Sequence, residues 1–366
     1  MRTATRHDIQ PPPKRHGRLL GVALVCACIA PHSAVFFLQH VDGVPLWLAE
    51  LARFVPYYWV LLPALLALGF SLVLPRVWLV LSLANVVVLA TVTMGLHWNT
   101  SSDDGMEGTR LRVLTYNVKA FQAVHRQGGL DAIALEIRRF QPDIVALQDA
   151  NSWVVSRSDA GITVAPPMFG LPHVVAMGQY VVASRFPLSA CEPGKLDFRD
   201  ASRQYLRCLV NIHGKSLQLV TAHFVSPREA LVATRRHGWN GVREWQVDLA
   251  DRLTQSRTLA ADVSRLSRPL LLMGDLNAQE ASPVVVELKR TGLRDAFSAA
   301  GRGYGYTHGH SLSRGLDLLR IDHILASTDI GVVHSQVGGG EASEHNPVVA
   351  DLVLGADLSR AAKMPP

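Results

Sequence analysis

Three long uncharged runs open the chain: Leu19–Leu38, Phe54–Leu74 and Val77–Trp98. Each is close to the ~20 residues that an α-helix needs to cross a bilayer. A cleaved signal peptide explains the first run poorly, because the run is too long for one and two more follow. The pattern predicts three transmembrane helices, about 19–38, 54–74 and 77–98, behind a tail of residues 1–18. From Leu111 the pattern changes to short apolar runs separated by turns. Leu111–Val118 alternates as a strand does. Leu130, Ile133, Ala134, Ile137 and Phe140 fall at helical spacing, and Pro142 stops that helix. Asp143–Gln148, Val174–Ala183, Tyr205–Ile212, Leu217–His223, Leu270–Asp275, Ile321–Ala326 and Val348–Leu354 read as strands. His213-Gly214-Lys215 marks a hairpin turn. Val242–Leu266 carries Trp245, Leu249, Leu253 and Val263 near helical spacing. Many strands with a few interspersed helices predict a two-layer or four-layer α/β sandwich.

Composition sharpens this division. Hydrophobic residues make up 48 % of the 366 residues and charged residues only 18 %. That balance excludes a disordered chain and fits apolar surface in contact with lipid. Residues 1–98 hold seven Lys/Arg against three Asp/Glu, and residues 99–366 hold 29 against 27. The larger region therefore has no broad basic surface, and tight non-specific binding of nucleic acid is not indicated. Arg2, Arg6, Lys14, Arg15 and Arg18 precede the first span, and Arg76 lies between the second and third. The loop between the first two spans holds Asp42 and Glu50 with Arg53. Lys and Arg stay on the cytoplasmic side, so the tail 1–18 is cytoplasmic and three crossings put residues 99–366 outside. The expected location is the cytoplasmic membrane, multi-pass. His32, inside the first span, reads as a neutral histidine facing a partner helix. Residues 99–109 form a linker, 110–355 a domain and 356–366 a tail. Cys26 and Cys28 are small apolar packers within the first span. A hairpin centred on Asp197–Ser202 sets Cys191 opposite Cys208, which permits a disulfide there and equally two free thiols.

Polar clusters stand at the ends of the apolar strands. They are Asn117 in Thr-Tyr-Asn-Val, Asp149 after Ile-Val-Ala-Leu-Gln, His223 in Thr-Ala-His-Phe, Asp275 and Asn277 in Gly-Asp-Leu-Asn-Ala, and Asp322 in Arg-Ile-Asp-His-Ile-Leu. A sixth, Ser343-Glu344-His345-Asn346-Pro347-Val348, precedes the last strand. Strand ends gather distant residues at one edge of a sandwich. Oxygen ligands with histidines, and no cysteine cluster, suit a hard cation such as Mg²⁺ or Mn²⁺. His323 reads as structural, His308 and His310 as solvated.

These blocks, in this order over residues 110–355, resemble the endonuclease/exonuclease/phosphatase superfamily. With the three spans ahead of them, the chain is similar to its membrane-anchored bacterial members. The resemblance implies a four-layer α/β sandwich that cleaves phosphate esters with a divalent metal and a water nucleophile. It implies that Asp149 binds the metal and that Asn117 supports metal and phosphate. Asp275 and Asn277 position the attacking water. His345 contacts the scissile phosphate, Asp322 orients it, and His223 assists the leaving oxygen. A histidine held by an aspartate is expected to have a fixed tautomer and a raised affinity for a proton. The family usually has Glu where this chain has Asp149 and Asp where it has Glu344, so both are expected at one metal centre, one short and one long. Arg185, Arg203 and Arg207 are candidates for substrate phosphate. The expected function is a membrane-anchored, metal-dependent phosphoesterase. Its partners are a phosphate-ester substrate, lipid-linked phosphate being favoured, and the membrane. Nucleic acid is not favoured, and no protein partner is expected. The alternatives are an extracytoplasmic nuclease and a catalytically silent domain that binds a phosphorylated ligand.

Overall fold

The computed structural model describes residues 15–99, 106–151, 153–154, 161–199, 201, 203–309, 316–339 and 342–355. Arg2, Arg6 and Lys14 of the basic tail, most of the linker, His310 and the tail 356–366 lie outside them. The chain divides into two compact units between Gly95 and Leu96.

The first unit is helical: Arg15–His40, Leu46–Arg53, Tyr58–Ser71 and Arg76–Val88, the last continuing as a π-turn over Leu89–Thr93. Gly17–His40 and Arg76–Thr93 are long and apolar enough to cross a membrane. The middle run differs from expectation. Leu46–Arg53 and Tyr58–Ser71 meet at 73° across a short break. Pro56 lies in that break and has no N–H to carry a helical bond through it. Tyr58–Ser71 has 14 residues. At ~1.5 Å per residue it reaches about 21 Å, short of a ~30 Å hydrocarbon core. Two helices therefore qualify alone, and a third span exists only if the bent pair counts as one. His32 is buried, with Nδ1 2.7 Å from Asn85 Oδ1 and Nε2 2.9 Å from Thr93 Oγ1. Both ring nitrogens are thus occupied by neutral groups of the last helix.

The second unit is a mixed α/β sandwich. A seven-stranded sheet runs in the order Ile330–Val337, Val348–Leu354, Thr109–Asn117, Ile144–Gln148, Tyr180–Ser184, His173–Met177, Thr163–Ala165. A six-stranded sheet runs Leu293–Asp295, Asp322–Ser327, Leu270–Asp275, Lys215–His223, Gln204–Ile212, Leu188–Lys195. Alternate residues of a strand face opposite sides. Leu111 and Val113 accordingly meet Leu206, Val210, Leu219, Met273 and Ile324 between the sheets. Leu114, Tyr116, Val145 and Leu147 point outward, onto Ile133 and Ile137 of the helix Gly129–Arg139. The helix Trp239–Val263 lies on the other outer face. Its Gln255 donates to the Leu196 carbonyl at 3.2 Å, and Tyr205 donates to Asp262 at 3.2 Å.

Three local findings refine the sequence reading. The run Val174–Ala183 is two strands, His173–Met177 and Tyr180–Ser184, joined by a tight turn at Gly178-Gln179. Gly178 takes φ 54°, a conformation that favours glycine. Cys191 and Cys208 are joined by a disulfide across the antiparallel strands Leu188–Lys195 and Gln204–Ile212. His97 and Trp98, assigned to the third span from sequence, pair as a strand with Gly303 and Arg302 of the second unit. The polar Asn99 holds that strand in place by donating to the carbonyls of Ser298 and Gly301.

Each sheet contains one parallel pair. Thr109–Asn117 runs beside Ile144–Gln148, with Asn117 opposite Gln148. Lys215–His223 runs beside Leu270–Asp275, with His223 opposite Asp275. Asp322 begins the antiparallel neighbour and also faces Asp275. These ends place the polar clusters together.

Candidate active site

Asp275 is the hub. It is buried at the end of an apolar strand, so each lone pair needs a donor or a cation. Asn117 Nδ2 donates to its Oδ2 at 2.8 Å, and the backbone N–H of Asn277 donates to Oδ1 at 2.9 Å. His223 Nε2 lies 3.5 Å and His345 Nε2 3.8 Å from the same Oδ2. Asn277 adopts φ 48°, which turns its amide to donate to the Phe224 carbonyl at 3.0 Å and clips the two strand exits together.

Asp322 and His345 form a buried pair, with Nδ1 2.8 Å from Oδ2. The backbone N–H of Asp322 donates to Thr307 Oγ1 at 3.2 Å. Burial pushes the Asp322 carboxyl up to about 6 and the His345 imidazole down to about 4. The expected rise in the proton affinity of His345 is therefore overturned. Loss of hydration on a fully enclosed ring outweighs the attraction of Asp275. At neutral pH the pair is a carboxylate accepting from the Nδ1–H of a neutral ring, which leaves the Nε2 lone pair facing Asp275.

This arrangement fits a cation. One ligand atom each from Asp275, Asp322 and His345 lie within 4.8 Å of one another, and all three residues are buried. Asp322 Oδ1 is buried with no hydrogen-bond partner among the described residues. Two carboxylates and an imidazole lone pair converging on one point repel unless a cation or a proton sits between them.

The other expected residues are placed as follows. Asp149 follows its strand at φ 51° and faces His223, 3.6 Å away, and the Lys119 ammonium, 3.0 Å away. Burial works against its charge, but His223 and Lys119 hold the carboxyl below its ordinary range. Glu344 is turned toward Arg126 at 3.7 Å and Arg228 at 3.9 Å. The metal-capable group thus contains neither of the two carboxylates assigned to the metal from sequence. Arg203 stands at the site end of its strand, its guanidinium 5.9 Å from the Phe198 ring centroid. Arg185 lies at the opposite end of the sheet, paired with Asp143 at 2.7 Å. Arg207 pairs with Glu192 across two strands. His323 is structural, as expected: buried, bonded to Asp295 at 2.7 Å and to the Ala278 carbonyl at 2.9 Å.

Three further residues reach the site. His308, read as solvated, stacks on His345 with ring centroids 4.2 Å apart. Burial, then the neighbouring His345, lower its proton affinity. No periodicity marks it, because its short strand belongs to no apolar run. Gln179 Oε1 lies 2.7 Å from His223 Nδ1. A lone polar residue after Gly178 inside an apolar run was the signal for it. Lys119 sits two residues beyond Asn117, immediately after the Thr-Tyr-Asn-Val block. Burial disfavours its charge, but Asp149, Asp275 and Glu344 more than offset this and raise its proton affinity.

The family model for the endonuclease/exonuclease/phosphatase family matches residues 114–345, and the chain belongs to that family. No curated protein matches the chain. Among solved structures, an endonuclease/exonuclease/phosphatase from Beutenbergia cavernae is 23 % identical with a TM-score of 0.47, covering 67 % of this chain and 72 % of that one. A family protein from Bacteroides vulgatus is 18 % identical with a TM-score of 0.48, covering 67 % and 99 %. Truncated TDP2 from Caenorhabditis elegans is 16 % identical with a TM-score of 0.48, covering 68 % and 99 %.

Proposed function

We propose that the protein is a membrane-anchored, divalent-metal-dependent phosphoesterase whose catalytic domain faces away from the cytoplasm. The observation that carries this reading is the convergence of Asn117, His223, Asp275, Asp322 and His345 at the ends of two parallel strand pairs. Asp275, Asp322 and His345 would hold Mg²⁺ or Mn²⁺, which when bound supplies positive charge to the phosphate oxygens and a more acidic water. Asp275 receives the proton of the attacking water. Asn117 and the Asn277 N–H fix the direction of its carboxylate. Asp322 fixes the tautomer of His345 and keeps Nε2 aimed at the reacting centre. His223, steadied by Gln179, returns a proton to the leaving oxygen.

Three spans, with the bent pair counted as one, support the extracytoplasmic placement, since an odd number of crossings separates tail from domain. The Cys191–Cys208 disulfide supports it too, because such bonds persist in oxidising compartments. A tethered domain and a nearly balanced charge favour lipid-linked phosphate over a nucleic acid.

The test is hydrolysis by the full chain in detergent, with bis(p-nitrophenyl) phosphate, p-nitrophenyl phosphate and phospholipid vesicles as substrates. Chelation should abolish turnover, and Mg²⁺ or Mn²⁺ should restore it. His345→Ala and Asp275→Asn should each cost about 10²–10⁴-fold with the fold intact. Turnover that persists undiminished in excess chelator would end the metal assignment.

A further inference from the structure

Lys119 is not among the residues that the family resemblance assigns, yet the backbone is strained to deliver it. It takes φ 45° and ψ 49°, left-handed for a side-chain-bearing residue. Such a conformation costs on the order of 1–3 kcal/mol and persists where the surroundings impose it. Here they do. The Lys119 N–H donates to Asn117 Oδ1 at 3.2 Å, and the Ala120 N–H donates to the Asp149 carbonyl at 2.8 Å. The Val118 N–H donates to the Gln148 carbonyl at 2.9 Å. Asp149 is itself left-handed, at φ 51°. Two strained residues on adjacent parallel strand exits are thus clipped face to face, with Nζ 3.0 Å from Oδ2.

The pair is neither a surface ion pair nor a sealed one. About a quarter of each side chain is exposed, 23 % for Lys119 and 25 % for Asp149. The Asp149 carboxylate also lies 3.6 Å from His223, so the ammonium stands one residue away from Asp275 and its neighbours. One carboxylate contact leaves an ammonium with further N–H donors, because it has three.

We propose that Lys119 is a substrate-contacting residue whose ammonium, held in place by Asp149, donates to a non-bridging oxygen of the substrate phosphate. Asp149 is then the lysine's counter-ion rather than a ligand of the metal. This accounts for the shorter carboxylate in the position usually held by Glu: its partner is a long lysine side chain that crosses the remaining distance. The inference rests on the phosphoesterase reading for its biological meaning, but phosphate binding tests it separately.

The experiment uses the full chain in detergent and inorganic phosphate as probe. Calorimetry measures phosphate binding with Mn²⁺ present, and Mn²⁺ binding with phosphate absent. A charge-assisted hydrogen bond corresponds to roughly 10- to 100-fold in affinity. Lys119→Met should weaken phosphate by that factor and raise KM for bis(p-nitrophenyl) phosphate, while Mn²⁺ binds at least as tightly as before. Lys119→Arg should retain phosphate binding within a few-fold. Asp149→Asn should weaken phosphate and leave Mn²⁺ affinity within about twofold. Phosphate binding by Lys119→Met within twofold of wild type overturns the proposal. So does a loss of Mn²⁺ affinity in Asp149→Asn, which would make Asp149 a metal ligand. Phosphate binding that depends on Lys119 in a wild-type protein without hydrolysis would sustain this inference and remove the enzymatic one.

Discussion

At the scale of single residues, the site is governed by burial. Asp322 and His345 have ordinary ionisation ranges in water, and the fold brings them toward one another: the carboxyl rises to about 6 and the imidazole falls to about 4. Between those values the pair needs no net charge inside the protein. In the metal-free protein the His345 ring should stay neutral down to about pH 4, and Asp322 should take up its proton as pH falls through about 6. Ring and carboxyl chemical shifts followed by NMR check this, and a His345 ring titrating near 6.5 would show that hydration persists at the pair. The positions of these residues were legible in the sequence, because Asp322 begins an apolar strand and His345 lies just before another. Their ionisation was not, since it depends on enclosure by residues from another segment, Thr307 against Asp322 and His308 stacked on His345.

At the scale of elements, the hairpin His173–Met177 and Tyr180–Ser184 bears on the proposed catalysis. Its turn carries Gln179 onto His223, and the Tyr180 hydroxyl accepts from the His223 N–H at 3.0 Å. Gln179→Ala should lower kcat by about 10- to 100-fold with little change in KM, the cost of losing the group that orients a reacting histidine. An unchanged kcat would reduce Gln179 to a turn residue. Eight strand runs and two helices were readable from periodicity, because buried strands and amphipathic helices differ in the spacing of apolar residues. The turn was not, because Val-Val-Ala-Met-Gly-Gln-Tyr-Val-Val-Ala is as apolar as one long strand. The bend at Pro56 was missed for the same reason: hydropathy registers the composition of Phe54–Leu74 and not its direction. Lys119 and Arg185 show the limit for charged groups, since only the registers of the two sheets decide which end of the sandwich each one reaches.

At the scale of the whole molecule, sidedness is a question of parity. If the helices Gly17–His40 and Arg76–Thr93 alone cross, the chain returns to the side on which it began, and counting the bent pair as one span reverses that result. A reporter active only outside the cytoplasm, fused after Pro366, should be active. Activity from a cytoplasm-only reporter at that point would put the domain inside and leave the disulfide without an oxidising environment. The charge balance carries a second expectation. Hydrolysis of vesicle-borne phosphoester should depend only weakly on salt, because a domain with nearly equal numbers of acidic and basic residues gains little from releasing counterions. A steep decline between 50 and 200 mM salt would point to a polyanionic substrate.

The strand Val348–Leu354 lies between Ile330–Val337 and Thr109–Asn117, inside the seven-stranded sheet rather than at its edge. The residues just before it close the centre, with Ser343 Oγ donating to the Asn117 carbonyl at 2.8 Å. A chain made from its N-terminus acquires Asn117 early and its partner for that bond 226 residues later. Until then the first strand has a gap beside it and Asp275 faces no His345. The buried centre can therefore close only after the segment that carries Ser343 and His345 has been made, when nearly the whole domain has left the ribosome.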